Sequence, residues 1–284
     1  MMSLWQAVLF GALQGVTELF PISSLGHSVV LPRLLHWNID QTDPNFLIFL
    51  VATHAATALV LFFYFWKDWQ KIFVGLVSSL KDREIRDTNV YGKLGWLLVV
   101  GTIPAGILGL LFEDVLKHLF ASPQIVAFVL IVNGIMLWLA DQLARKRSKV
   151  TESGSDERIA KLSWMDSIKV GLFQCIALLP GFSRTGATLT GSLLTGLSYE
   201  DSARFAFLLA TPIIVAAAVL KLPELMTQTG STALLPTLVG ALAAGICAYF
   251  SVKYLLKYFE TKTLRPFAIY CLIAGIVLSL LFFL

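Results

Sequence analysis

Gln14-Gly15-Val16-Thr17-Glu18-Leu19-Phe20-Pro21-Ile22-Ser23-Ser24-Leu25-Gly26-His27 sets a carboxylate, a pair of serines and an imidazole inside sequence apolar enough to lie in lipid. A second polar knot, Pro180-Gly181-Phe182-Ser183-Arg184-Thr185-Gly186-Ala187-Thr188, interrupts another apolar stretch far downstream. A charge at the centre of a bilayer costs about 2.5–3.5 kcal/mol on insertion scales, so such residues are kept for function or paired with one another. The two stretches are expected to meet and to hold a phosphate.

Working outward, the chain of 284 residues is 57% hydrophobic and only 14% charged, with mean hydropathy +0.76. Soluble domains carry about 25% charge. Several apolar runs approach the roughly 20 residues that span a bilayer as helix. Alternating segments of about ten residues, the mark of a membrane β-barrel, are absent. The sequence therefore describes an all-α polytopic membrane protein. Met1-Met2-Ser3-Leu4-Trp5 has no basic leader region and is expected to be mature sequence. A net charge of +4 gives no reason to expect nucleic acid as a partner. Cys175, Cys247 and Cys271 lie in apolar segments without paired spacing, so neither a disulfide framework nor a metal motif is implied. There is no Gly-x-x-x-x-Gly-Lys-Ser/Thr loop for ATP and no Cys/His cluster of zinc spacing.

Pro21, Ser23-Ser24 and Gly26 break the first apolar stretch into two half-length helices, a re-entrant hairpin. Such backbone survives at membrane depth only when protein or a cavity shields it. Full spans are expected at Phe46–Trp66, Leu94–Phe112 and Ile125–Ala140, with an amphipathic segment at 67–93 and a short loop at 113–122. Residues 141–164 are the polar linker. Residues 166–197 repeat the broken hairpin around Pro180-Gly181, and spans follow at Arg204–Leu220, Leu234–Leu255 and Pro266–Leu284. At an offset of 160 residues Gly11, Gln14, Ser23 and Gly26 meet Gly171, Gln174, Ser183 and Gly186. The expected architecture is an inverted-topology repeat, each half a re-entrant helical hairpin plus three transmembrane helices: repeat one 1–140, linker 141–164, repeat two 165–284. Broken helices in such repeats place binding groups near the midplane. Lys and Arg gather in 67–93, in 141–164 and after the span at 234–255, which makes that side cytoplasmic. The first hairpin then opens outward.

Glu18 is the acid placed deep in an apolar segment; the others lie in loops or at span ends. Arg184 suits a bidentate grip on phosphate oxygens. His27 follows Ser24 closely enough for imidazole to take the serine proton, or to attack phosphorus itself. Ser183 to Thr188 begin a half-helix whose free N–H groups suit an anion, and Gly181 and Gly186 let backbone come close to it. Ser23, Gly181, Ser183, Arg184, Thr185, Gly186 and Thr188 form the expected phosphate-binding set. Gln14 lies one turn before Glu18 on the same face, so the pair could hold Mg²⁺ or Ca²⁺ with oxygen ligands. His54, alone among Ala52, Ala55 and Ala56, reads as a packed polar residue.

These motifs resemble the undecaprenyl-diphosphate phosphatase family of the integral-membrane, bacitracin-resistance type. The likeness also covers Gly101-Thr102-Ile103-Pro104 and Phe207-Leu208-Leu209-Ala210-Thr211-Pro212. It implies hydrolysis of a C55 polyprenyl diphosphate to the monophosphate and phosphate, recycling the cell-wall lipid carrier. It also implies divalent-metal dependence, a homodimer, and a site open to the periplasm of the inner membrane. By position it makes Glu18 the essential acid, Ser24 and His27 the nucleophile and base, and Arg184 the phosphate clamp. The chain departs from that pattern in holding Gln14 where Glu is often found, and Leu50 and His54 where Glu and Gln are usual. Arg204 and Cys271 stand where Glu and Arg are common. These are the marks of a divergent member, whose substrate, metal dependence or activity could differ. A polyprenyl-phosphate transporter of the same fold, moving the carrier without hydrolysis, is the second reading.

Overall fold

The computed structural model describes residues 2–283 except 42, 87, 113–121, 148–153 and 229–232. The expected loop at 113–122 and the centre of the expected linker therefore lie largely outside the described residues. In chain order the helices are α1 (Leu4–Thr17), α2 (Ser24–Leu34), α3 (Pro44–Tyr64), α4 (Trp66–Asp82), α5 (Val90–Leu111), α6 (Pro123–Arg147), α7 (Ser155–Ala160), α8 (Trp164–Ile176), α9 (Arg184–Leu194), α10 (Tyr199–Gln228), α11 (Leu234–Phe259) and α12 (Arg265–Phe283). Six of them, α3, α5, α6, α10, α11 and α12, are long and apolar enough to cross a membrane. Phe63, Phe128, Leu139, Leu242, Phe250 and Ile273 are exposed on their outer faces. A surface that apolar is what lipid contact requires. The protein is an all-α, multi-pass membrane protein.

Both broken hairpins form, and their construction matches at the offset seen in the sequence. Ser3 and Ser163 each open a helix with a capping box, Ser3 with Gln6 and Ser163 with Asp166. Ser23 and Ser183 each cap the second helix of a hairpin, their hydroxyls accepting from the N–H of Gly26 (3.2 Å) and of Gly186 (3.1 Å). These caps satisfy helix donors that lipid could not. α1 packs on α11 and α8 on α5. A Cβ at Gly11 would lie 2.1 Å from the Gly240 carbonyl oxygen, and one at Gly171 would lie 2.5 Å from that of Gly101. Small residues let helix backbones touch, which is how helices associate where hydrophobicity gives no drive. Gly11→Val therefore forces α1 off α11. Overpacking of this kind costs about 1–3 kcal/mol, and a lower thermal midpoint in detergent is the expected readout.

α1 starts beside α2's end and the start of α3, with Trp5 edge-on to Trp37 at 5.0 Å and Phe10 near Phe46 at 5.6 Å. α8 starts instead near the beginning of α5, where the Lys93 ammonium lies 4.5 Å from the Trp164 ring. That end of the bundle collects the charges. Arg204 bonds Asp156 (2.7 Å) and Asp68 (3.0 Å), Tyr91 donates to Asp156 (3.2 Å), and Arg158 bonds Asp201 (2.7 Å). α6 extends past the expected span to Arg147, because Asp141 and Arg145 pair one turn apart at 2.8 Å. The helix thus runs on into the first residues of the segment expected as linker. Asp141 is fully buried there and also accepts from the Tyr199 hydroxyl (2.7 Å) and the Leu264 N–H (3.0 Å), tying α6 to α10 and α12.

Candidate active site

The two hairpin turns meet inside the bundle. Thr185 Oγ1 donates to the Glu18 carbonyl at 2.9 Å, and Ser183 Oγ to the Phe20 carbonyl at 3.3 Å. Asn133, a fully buried residue of α6, holds both turns at once. Its amide nitrogen donates to the Pro21 carbonyl, and its amide oxygen accepts from the Ser183 N–H, each at 3.2 Å. Nothing local in the sequence marks Asn133; the clamp exists only once three distant segments have packed.

Around that junction the Glu18 carboxylate, 6% exposed, is ringed by donors. Arg184 pairs with Oε1. Oε2 accepts from Ser24 Oγ at 2.5 Å and Gln14 Nε2 at 3.0 Å, and His54 Nε2 lies 3.3 Å away. Glu18, Arg184, Ser24 and Gln14 are thus brought together as the sequence led one to expect. His54 joins them unexpectedly: a single histidine in an alanine-rich span carries no period from which its direction could be read.

Other expected members stand elsewhere. His27 is not bonded to Ser24. Its Nδ1 lies 2.6 Å from the Ser23 carbonyl, which can only accept, and its Nε2 lies 2.6 Å from the Tyr270 hydroxyl. In the neutral ring, Nδ1 carries the proton and Nε2 accepts from tyrosine. The Ser24 hydroxyl turns to Glu18 because the carboxylate is the stronger acceptor within reach. Ser23, held at φ +68°, and Ser183 use their hydroxyls as helix caps. Thr188 Oγ1 donates to the Arg184 carbonyl at 2.9 Å. Gly181 adopts φ +102°, and a Cβ there would lie 2.7 Å from the Val126 carbonyl oxygen, so it is a turn pressed on α6. Gly186 packs beneath Pro21, Leu137 and Ser183. Of the expected phosphate-binding set, Arg184 is the member whose charged group faces the carboxylate; Ser23 caps α2 in the first hairpin, and the others lie in the turn of the second hairpin or the first turns of α9.

The family model described as bacitracin resistance protein BacA matches residues 7–277. This chain belongs to the BacA family. An undecaprenyl-diphosphatase of Mycolicibacterium paratuberculosis is 44% identical over 95% of this chain and 94% of its own length. An undecaprenyl-diphosphatase 2 of Chromobacterium violaceum is 45% identical over 96% of both. An undecaprenyl-diphosphatase of Acidiphilium cryptum is 44% identical over 95% of this chain and 94% of its own length. The matched region of this BacA family member holds every group of the constellation around Glu18.

The donors present do not fit a resident Mg²⁺ or Ca²⁺ at Gln14 and Glu18. Ca²⁺ takes about six to eight oxygen ligands and Mg²⁺ about six, waters and substrate phosphates among them, but each needs a carboxylate oxygen free to meet it. Here one carboxylate is available, and both its oxygens already hold side-chain donors. Gln14 Oε1 is buried without a hydrogen-bond partner among the described residues, but it is a single neutral oxygen. Among the described residues no three of His, Cys, Asp and Glu gather as a metal site would need.

Proposed function

We propose that this BacA family member hydrolyses undecaprenyl diphosphate to the monophosphate and inorganic phosphate, recycling the cell-wall lipid carrier at the bacterial inner membrane. The observation that carries the reading is that Glu18 holds both Ser24, from its own broken hairpin, and Arg184, from the second. The names of relatives at 43–45% identity over nearly the whole chain support it. We take the two matched hairpins as the halves of an inverted repeat, with the charged end of the bundle cytoplasmic by the positive-inside rule. The diphosphate head then approaches from the outer face while its prenyl tail stays in lipid.

The chemistry follows from the contacts. Arg184 turns its fork from Glu18 to the terminal phosphate, neutralising charge where it builds in the transition state. Losing that donor leaves Glu18 a better acceptor for the Ser24 proton, already aimed at it. Ser24 Oγ bonds to the terminal phosphorus as the bond to the bridging oxygen breaks, and the lipid monophosphate leaves with that oxygen. Water then hydrolyses the phosphoserine, restoring the hydroxyl and releasing phosphate. His27, held by Ser23 and Tyr270, stands beside this path and not on it.

The test is phosphate release from a C55 polyprenyl diphosphate by purified protein. Release at a rate proportional to protein is the expected result. Movement of the carrier across vesicles without release would replace this reading with transport.

A further inference from the structure

We infer that His54 is a positioning residue that fills the face of Glu18 which a divalent cation would need, so that the site works without a bound metal. The part of this that concerns turnover rests on the phosphatase reading above. Each oxygen of a carboxylate offers about two lone-pair directions. In the substrate-free site Ser24, Gln14 and His54 crowd Oε2 and Arg184 takes Oε1, and Oε2 keeps its three partners when Arg184 turns to phosphate. A Mg²⁺ or Ca²⁺ ion sits about 2.0–2.6 Å from its oxygens, inside the shell those donors already occupy.

His54 is fixed from behind as well. Its Nδ1 donates to the Leu50 carbonyl, 2.8 Å away and one turn earlier, and its Nε2 faces Glu18, so the ring donates to both acceptors as the imidazolium. The neighbouring Thr53 and Thr57, both fully buried, tie their hydroxyls to the carbonyls of Leu50 and His54 and keep that face of α3 against the bundle. The ring therefore cannot leave Glu18 without a change of rotamer inside packed structure. Its work is to keep the carboxylate turned so that Oε2 meets Ser24. The positive charge that a metal would bring is supplied by side chains, Arg184 above all.

Two measurements decide this. The first is Mn²⁺ binding to purified, substrate-free protein, read from the free-ion paramagnetic resonance signal. The wild type leaves that signal unchanged; one bound Mn²⁺ per chain would overturn the inference. The second is phosphate release with chelator and with added Mg²⁺. Wild-type turnover changes by less than about twofold between them, whereas His54→Ala lowers kcat by about 10²-fold, the cost of a small misplacement. KM stays within about threefold because substrate does not touch His54. His54→Gln, whose amide nitrogen falls where ring Nε2 lies, restores at least about tenfold of that loss. Turnover abolished by chelator, or His54→Ala at the wild-type rate, would overturn the inference. No release under either condition would instead count against the phosphatase reading, and Mn²⁺ binding would still decide the metal question.

Discussion

Arg184→Ala lowers kcat for phosphate release by about 10²–10³-fold, the loss seen when one donor to a developing oxyanion is removed. Arg184 is the cation from the second hairpin that reaches Glu18, so no neighbour on its own turn replaces it. Thr185, Thr188 and Ser183 are already bonded to the protein. The variant is also less stable. Removing one partner of a buried ion pair costs about 3–5 kcal/mol when the other is left uncompensated, and here Gln14, Ser24 and His54 remain on Glu18, which places the loss at the lower end. Arg184→Lys keeps the charge but not the planar fork, and falls between the two. Turnover and the thermal midpoint in detergent, measured together, separate the catalytic loss from the structural one.

Ser24→Ala removes the attacking oxygen and lowers kcat by at least about 10³-fold, in the range found for loss of a nucleophile. Its stability changes little by comparison, because the buried Glu18 keeps three other donors. His27→Ala has a smaller effect, since the imidazole is bonded to Ser23 and Tyr270 and does not touch Ser24. This contrast separates the two nucleophile assignments that the motif alone leaves open. If His27→Ala abolished turnover while Ser24→Ala retained it, the imidazole would be the attacking group.

The features that were legible in the sequence are those with a local signature. The spans show as apolar length, the two breaks show as Pro, Gly and Ser within it, and Glu18 and Arg184 stand out because charge is rare at that depth. The matched hairpins were legible because caps and close-packing glycines recur at one spacing. The missed features arise between segments distant in the chain. His54 reaches Glu18 from α3, Asn133 bridges two turns from α6, and Tyr270 meets His27 from α12. Each is one polar residue in an apolar helix, with no periodicity to say which way it faces. Ser24 and His27 are not bonded to each other for a related reason: nearness in sequence set two candidates side by side, while the stronger acceptor, Glu18, lies at the end of the preceding helix.

In the proposed mechanism the two hairpins build one catalytic unit from Glu18 and Arg184. The decisive experiment is a double-mutant cycle on phosphate release with Glu18→Gln, Arg184→Ala and the two combined. Groups acting as a unit are strongly non-additive, so the double variant should be no slower than the worse single one by more than about threefold. Losses that simply multiply, or single variants that turn over at the wild-type rate, would contradict it.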